Sequence, residues 1–151
     1  MIKSVATSLT AALSICGLSF AQAINDDCAE AIAVGSTTTT SGSQVNCNTD
    51  GLSSCSNGGF RDVWYSFTPA ITGIYRLSTC GSGGDTILSV HSACPGTVQN
   101  QLACNDDNGP ACVATNASLD FSFVAGQTYK VRVASFYQSF LPNFTFAVTP
   151  R

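Results

Sequence analysis

The stretch Val63-Trp64-Tyr65-Ser66-Phe67-Thr68-Pro69 is the part of the sequence that best indicates the fold. Val63, Tyr65 and Phe67 occupy alternate positions, so they lie on one face when the chain is extended. Pro69 closes the run, because proline cannot donate a hydrogen bond to a sheet. Alternation of this kind is typical of an antiparallel strand with one buried face. The stretch therefore predicts a half-buried β-strand.

The same alternation recurs along the chain, between segments rich in Gly, Ser, Asn and Pro. It predicts further strands at residues 75–78, 86–91, 118–123, 129–134 and 144–148, with a returning strand at 99–104 and a strand or polar edge within 37–45. Gly126-Gln127 predicts a hairpin turn between strands at 119–124 and 128–134. Residues 28–34 alone favour a short helical turn. About eight short strands predict an all-β fold, an antiparallel two-sheet β-sandwich of jelly-roll or related type.

Residues 1–23 have the pattern of a secretory signal peptide. Lys3 supplies the positive charge, residues 5–20 form an uncharged apolar run, and Ala21-Gln22-Ala23 matches a small-x-small cleavage site. The run is short for a membrane span and contains Ser and Thr. We expect this segment to be removed. Residues 24–151 are then expected to form a single domain, secreted or held in the cell envelope, with no transmembrane span.

The chain contains eight cysteines. Cys16 lies inside the predicted signal segment, where a lipid-modified cysteine is the alternative interpretation. The remaining seven predict a disulfide framework with one cysteine unpaired. They are Cys28, Cys47, Cys55, Cys80, Cys94, Cys104 and Cys112. Thiolate metal binding is disfavoured, since no C-x-x-C pair occurs and His91 is the only histidine. The pairing stays open, although Cys47 and Cys55 flank one loop and could close it.

Charged side chains are sparse, at 10% of the residues, with six basic and nine acidic groups. A nucleic-acid binder needs a basic stripe to neutralise phosphates, so that class of function is excluded. The acidic residues, however, are clustered with Asn in a few places. If residues 86–91 and 99–104 form a hairpin, Asp85 and Asn105 lie at the same end of the sheet.

Such a cluster suits Ca²⁺, which takes about six to eight oxygen ligands from carboxylates, amides and carbonyls. The alternative is that these are ordinary turn residues that cap backbone N–H groups. The candidate ligands are Asp26, Asp27, Asp85, Asn105, Asp106 and Asp107. Calcium is the only cofactor that the sequence suggests.

The residues do not support catalysis. His91 is the sole candidate imidazole base, it lies at the end of a predicted strand, and no G-x-S-x-G elbow occurs. Gly81-Ser82-Gly83-Gly84 lacks the Lys-Ser/Thr of a phosphate-binding loop. We therefore expect no enzyme activity and no catalytic residue. A hydrolase that uses a pair of Asp residues is the remote alternative.

Residues 136–142 form an apolar loop between two predicted strands. Phe136, Tyr137 and Phe140 are its aromatic side chains. An exposed apolar loop can mark a partner surface. The alternative is that the loop folds over one end of the sandwich.

Several motifs, each weak alone, occur in a shared order. They are Asn25-Asp26-Asp27-Cys28-Ala29, Asp62-Val63-Trp64-Tyr65-Ser66-Phe67, Ser78-Thr79-Cys80-Gly81, Asp85-Thr86-Ile87-Leu88-Ser89-Val90, Ala103-Cys104-Asn105-Asp106-Asp107, Ala125-Gly126-Gln127-Thr128-Tyr129 and Asn143-Phe144-Thr145-Phe146. The series resembles secreted β-sandwich modules of planctomycetes and other bacteria, which are similar to the pre-peptidase C-terminal domain and to CUB-like jelly rolls. The resemblance implies a non-catalytic module of a group whose members bind Ca²⁺ or extracellular polymers.

Two functional hypotheses follow. The first is a Ca²⁺-stabilised binding or adhesion module whose partner is an extracellular polysaccharide or protein. The second is a structural subunit of the cell envelope or extracellular matrix, which forms oligomers through its odd cysteine. Nucleic acid is not expected as a partner in either case.

Overall fold

The computed structural model describes residues 21–56, 59–138 and 141–151. Residues 1–20 of the predicted signal peptide, including Cys16, lie outside the described residues, as does Phe140 of the predicted aromatic surface. No helix in the described ranges is long and apolar enough to cross a membrane.

Nine strands form within the described residues, and every alternating segment of the sequence becomes one of them. They are β1 (Ile32–Val34), β2 (Thr38–Gly42), β3 (Phe60–Phe67), β4 (Gly73–Ser78), β5 (Thr86–His91), β6 (Gln101–Asn105), β7 (Ser118–Phe123), β8 (Tyr129–Ser135) and β9 (Phe144–Pro150). The predicted strands are therefore confirmed.

The strands form two sheets. The first has five strands in the order β1-β3-β8-β5-β6, and the second has four in the order β2-β9-β4-β7. All neighbouring strands are antiparallel except β1 and β3, which are parallel. The core lies between the sheets, where the rings of Tyr65 from β3 and Phe146 from β9 stack with centroids 4.7 Å apart. The predicted two-sheet β-sandwich is confirmed.

The connection from β7 to β8 differs from the prediction. Gly126 does adopt a left-handed turn conformation, with φ of 76°. The flanking strands, however, belong to different sheets, so the turn crosses the sandwich and the predicted hairpin is wrong. Phe123 and Tyr129 face each other across the core instead, with ring centroids 4.8 Å apart. Alternation identifies the buried face of each strand, but it does not determine which other strand that strand pairs with.

The N-terminal segment also differs from the prediction. The helical turn covers only Cys28–Glu30, and the chain then enters β1, which pairs with β3. The backbone oxygen of Asn25 accepts a hydrogen bond from the N–H of Trp64, 2.8 Å away. Pairing with β3 thus replaces the longer helical turn predicted for residues 28–34.

The outer face of the five-stranded sheet is also covered, which one-sided alternation does not predict. All six residues of β5 are buried. Trp64 lies on this outer side, and the backbones of two loops approach it closely. A Cβ at Gly51 would lie 2.4 Å from Cζ2 of Trp64, and one at Gly96 would lie 2.1 Å from its Cη2. Beneath these loops Arg132 forms a buried ion pair with Asp62.

Three disulfides form among the described cysteines. They are Cys28–Cys94, Cys55–Cys104 and Cys80–Cys112, with Cα–Cα distances of 5.7, 5.9 and 5.2 Å. The predicted framework with one unpaired cysteine is confirmed, but the suggested closure of a loop by Cys47 and Cys55 is wrong. Cys47 is the free cysteine of the described chain and is only 5% exposed. Because it is buried, an oligomer linked through this thiol would require the core to open.

Candidate functional site

Three carboxylates meet at one end of the sandwich. Asp85 precedes β5, and Asp106 and Asp107 follow β6, which pairs with β5 in a register that sets Leu88 opposite Asn105. One oxygen from each of the three carboxylates lies within 4.8 Å of the others. The hairpin inferred from the sequence therefore does bring Asp85 and Asn105 to the same end of the sheet. We refer to Asp85, Asp106 and Asp107 as the acidic cluster.

Asn105 shapes the loop that carries Asp106 and Asp107. Its Oδ1 accepts a hydrogen bond from the N–H of Ser118 at 2.9 Å, and its Nδ2 donates to the backbone oxygen of Asp107 at 3.0 Å. Gly109 follows in the same loop, where a Cβ would lie 1.8 Å from the backbone oxygen of Ser118. Both polar groups of the Asn105 side chain thus form hydrogen bonds within the protein, and these bonds hold the backbone of the loop that carries Asp106 and Asp107.

The carboxylates of the acidic cluster are poorly compensated. Burial, together with the charges of Asp107 and Asp106, raises the pKa of Asp85 to about 6. Burial and the charge of Asp107 also raise the pKa of Asp106, which a hydrogen bond from Ser56 opposes. One oxygen of Asp85 and one of Asp106 are buried without a hydrogen-bond partner. A buried carboxylate oxygen without a hydrogen-bond partner is stabilised when it binds either a proton or a cation.

Asp26 and Asp27 do not belong to the acidic cluster. The Oδ1 of buried Asp26 accepts a hydrogen bond from the N–H of Asn48 at 2.8 Å. Asp27 is exposed at the start of the helical turn that Cys28 ties to Cys94. The sequence places both residues in an Asp-rich segment, but only the topology shows that this segment lies beside β3.

The aromatic loop lies beside the acidic cluster. The N–H of Phe136 donates to the backbone oxygen of Asp85 at 3.1 Å. Its ring meets that of Tyr137 edge to face, with centroids 4.9 Å apart, and Tyr137 is 60% exposed. Leu141, at the end of the loop, is buried in the core. The described part of the loop therefore contributes Leu141 to the core and exposes the ring of Tyr137, and the sequence does not reveal that the backbone of this loop is hydrogen-bonded to Asp85.

His91 has partners that resemble those of a catalytic base. Its Nε2 lies 2.8 Å from Oγ of Ser89, and its Nδ1 lies 3.0 Å from Oδ1 of Asn100. Ser89 and His91 are, however, completely buried, so no substrate can reach the hydroxyl. Desolvation lowers the pKa of His91 and keeps the ring neutral. The interpretation of His91 as a packed residue fits this environment.

A shallow groove lies at the opposite end of the sandwich, near the start of β4. It is lined mainly by apolar groups, among them Ile71, Ile74 and Pro150, with Arg151 at its edge. No carboxylate or imidazole side chain lines the groove, so it has fewer groups that could bind a polar ligand or a cation than the acidic end has.

Comparison with known families identifies the module. The sequence model of a T9SS-associated family described as galactose binding domain-like matches residues 24–148. The chain belongs to this family. The domain families that this chain matches are non-catalytic modules of a binding type. T9SS association and disulfides are typical of an extracellular or envelope location.

A solved structure of a pre-peptidase C-terminal domain shows the same fold. The pre-peptidase C-terminal domain of a collagenase from Bacillus anthracis is 17% identical, with a TM-score of 0.52, and the match covers 78% of this chain and 93% of that one. PliG of Aeromonas hydrophila, a periplasmic inhibitor of g-type lysozyme, is 12% identical with a TM-score of 0.45, over 78% of this chain and 95% of its own. No curated protein is significantly similar. The resemblance to pre-peptidase C-terminal modules is confirmed at the level of the fold.

Proposed function

We propose that this galactose binding domain-like chain is an exported module that Ca²⁺ stabilises and that binds an extracellular polysaccharide at its acidic end. The observation that carries the proposal is the convergence of three carboxylates at the end of the sandwich where the backbone N–H of Phe136, the chain neighbour of exposed Tyr137, is hydrogen-bonded to Asp85. Neither feature is needed for the sandwich to close, because the core lies between the sheets.

The residues present fit a hard divalent cation. All three side chains of the acidic cluster offer carboxylate oxygens, the ligand type that Ca²⁺ prefers. Two of these oxygens are buried without a hydrogen bond. The ion pairs Arg76–Asp120, Arg151–Asp120 and Arg132–Asp62 do not involve the acidic cluster. A bound Ca²⁺ would supply the missing positive charge and fix the 105–109 loop.

The same end suits a sugar. An exposed aromatic ring can pack against the apolar face of a pyranose, and carboxylates accept hydrogen bonds from its hydroxyls. Tyr137 provides such a ring, and Asp107 is the exposed member of the acidic cluster. The name of the family points to the same ligand class. Polysaccharide is therefore favoured over protein as the partner.

Calorimetric unfolding with added Ca²⁺ or EDTA tests the cation. Ca²⁺ at about 100 times its Kd stabilises the native state by about 2.7 kcal/mol. Asp85→Asn and Asp106→Asn should remove most of this stabilisation. Asp27→Asn, which alters an exposed carboxylate outside the cluster, is the matched control. An unfolding temperature that is the same in EDTA and in millimolar Ca²⁺ contradicts the calcium proposal.

A glycan array followed by titration calorimetry tests the sugar. Tyr137→Ala should weaken binding of a retained glycan by about two- to tenfold, since stacking contributes about 0.5–1.5 kcal/mol. Ile71→Ala removes a similarly exposed apolar side chain at the opposite end and should have no effect. If no glycan is retained while a protein of the cell surface is, the polysaccharide assignment is wrong.

A further inference from the structure

The segment of residues 53–56, which we call the strap, is pinned along β6. Cys55 of the strap is bonded to Cys104 of β6. The N–H of Ser54 donates to Oε1 of Gln101 at 2.8 Å, and Nε2 of Gln101 donates to Oγ of Ser54 at 2.8 Å. Cys104 is the cross-strand partner of Ser89. The strap therefore lies over the outer face of the five-stranded sheet, where Ser89 and His91 are buried.

The three disulfides differ in how accessible they are. Each of the other two bridges contains one deeply buried cysteine, since Cys28 is 2% and Cys112 6% exposed. Cys55 and Cys104 are both partly exposed. Reduction requires a thiolate to reach one sulfur in line while the other departs as a thiolate. A buried sulfur either blocks the attack or departs into an apolar environment that disfavours its charge.

Cys104 also has a donor for its departing charge. Nε2 of Gln101 donates to Sγ of Cys104 at 3.3 Å, and Oγ of Ser54 lies 3.9 Å from the same sulfur. Hydrogen bonds to a thiolate lower the pKa of the thiol, and a thiol of lower pKa leaves faster. Attack on Cys55 with departure of Cys104 is therefore the favoured direction.

We propose that Cys55–Cys104 is a reducible latch, which a dithiol reductant opens while the other two bridges keep the sandwich folded. A thiolate of the dithiol attacks Sγ of Cys55, the S–S bond breaks, and Cys104 leaves as a thiolate. The second thiolate of the reductant resolves the mixed disulfide and releases Cys55. The bridge gains two electrons and two protons and becomes two thiols, while the dithiol becomes a disulfide. Reduction removes the covalent bond between the strap and β6, so the latch couples the redox state of the surroundings to how firmly the strap is held on this face.

Graded reduction with dithiothreitol under native conditions, followed by alkylation and peptide mass spectrometry, tests the proposal. Cys55 and Cys104 should be labelled at least about tenfold faster than the other four bridged cysteines. Hydrogen exchange should increase in the strap and in β5 and β6, and the circular dichroism of the sandwich should persist. If another bridge opens first, or if all three open together as the fold is lost, the latch is excluded.

A variant tests the direction of attack. Gln101→Glu keeps an acceptor for the N–H of Ser54, but it replaces the donor to Cys104 with a negative charge. Reduction of Cys55–Cys104 should then slow by about tenfold. Gln127→Glu, at an exposed turn distant from the cysteines, is the control and should leave the rate unchanged. A rate in Gln101→Glu equal to or above that of the wild type overturns the role of Cys104 as leaving group.

Discussion

Cys47 is the thiol that the three disulfides leave over, and its surroundings decide how it behaves. Burial raises its pKa to about 11, and the negative charges of Asp26 and Asp62 act in the same direction. The thiolate is the reactive form, so the native protein should react with a thiol reagent very slowly. For residues 24–151 we predict less than one tenth of a reactive thiol per chain in buffer, and one in denaturant without reductant. A disulfide-linked dimer on a non-reducing gel would contradict the predicted low reactivity of Cys47. It would instead support the hypothesis of a structural envelope subunit that is cross-linked through its odd cysteine.

His91 should make stability depend on pH. Its folded pKa is lowered by burial and by the charge of Arg132, although a hydrogen bond with Asn100 acts against this. The unfolded state therefore binds more protons, and stability falls as the pH drops below about 6.5. The slope is at most about 1.4 kcal/mol per pH unit. Denaturant unfolding of the wild type and of His91→Gln between pH 7.5 and 5 measures it.

The variant is needed because Asp85 acts in the opposite direction. Its pKa is raised to about 6, so its protonation favours the folded state as the pH falls. This contribution is common to both proteins and cancels in their difference. A difference in stability that does not change between pH 7.5 and 5 would contradict the buried, neutral state of His91.

At the scale of elements, alternation predicts strands well and their partners poorly. It correctly predicts β3, β4, β5, β7, β8 and β9, since each buries alternate side chains in the core. It does not distinguish a hairpin from a connection that crosses between sheets, because both place the same faces inward. This is why the turn at Gly126 was predicted wrongly. Alternation also does not predict that both faces of β5 are buried. Ser89 and His91 are polar and therefore suggest a solvent-exposed face, and only the loops that cover this face show otherwise.

The loop that carries Gly96 shows how tightly this cover is packed. A Cβ at Gly96 would lie 2.1 Å from Cη2 of Trp64, so Trp64 or the loop must move in Gly96→Ala. Overpacking of this kind costs about 1–3 kcal/mol. Gly73→Ala is the control, since its nearest neighbour would be 4.0 Å away. Urea unfolding measures both variants, and an equal midpoint for the two would contradict close packing around Trp64.

At the scale of the whole molecule, the candidate site depends on which loops the fold brings to one end. Asp85, Asp106 and Asp107 could be predicted together because a single hairpin joins them. Asp26 could not be excluded and Tyr137 could not be included, because both depend on contacts between distant segments. The hydrogen bond from Phe136 to Asp85 spans fifty-one positions of the chain and is what sets the aromatic loop beside the acidic cluster. Local patterns carry no information about such a contact.

Calcium binding by the assembled end should weaken as the pH falls. The pKa of Asp85 is about 6 and that of Asp106 is also raised, and Ca²⁺ must displace any proton from these groups. Between pH 7 and pH 5 the ionised fraction of Asp85 drops about tenfold, so the affinity should drop at least as much. Titration calorimetry at both pH values, in two buffers of different ionisation enthalpy, measures the affinity and the protons released. Asp85→Asn should bind Ca²⁺ more weakly and with a shallower pH dependence, because the group that titrates is gone. An affinity in the wild type that is equal at pH 7 and pH 5 would show that these carboxyls do not hold the ion.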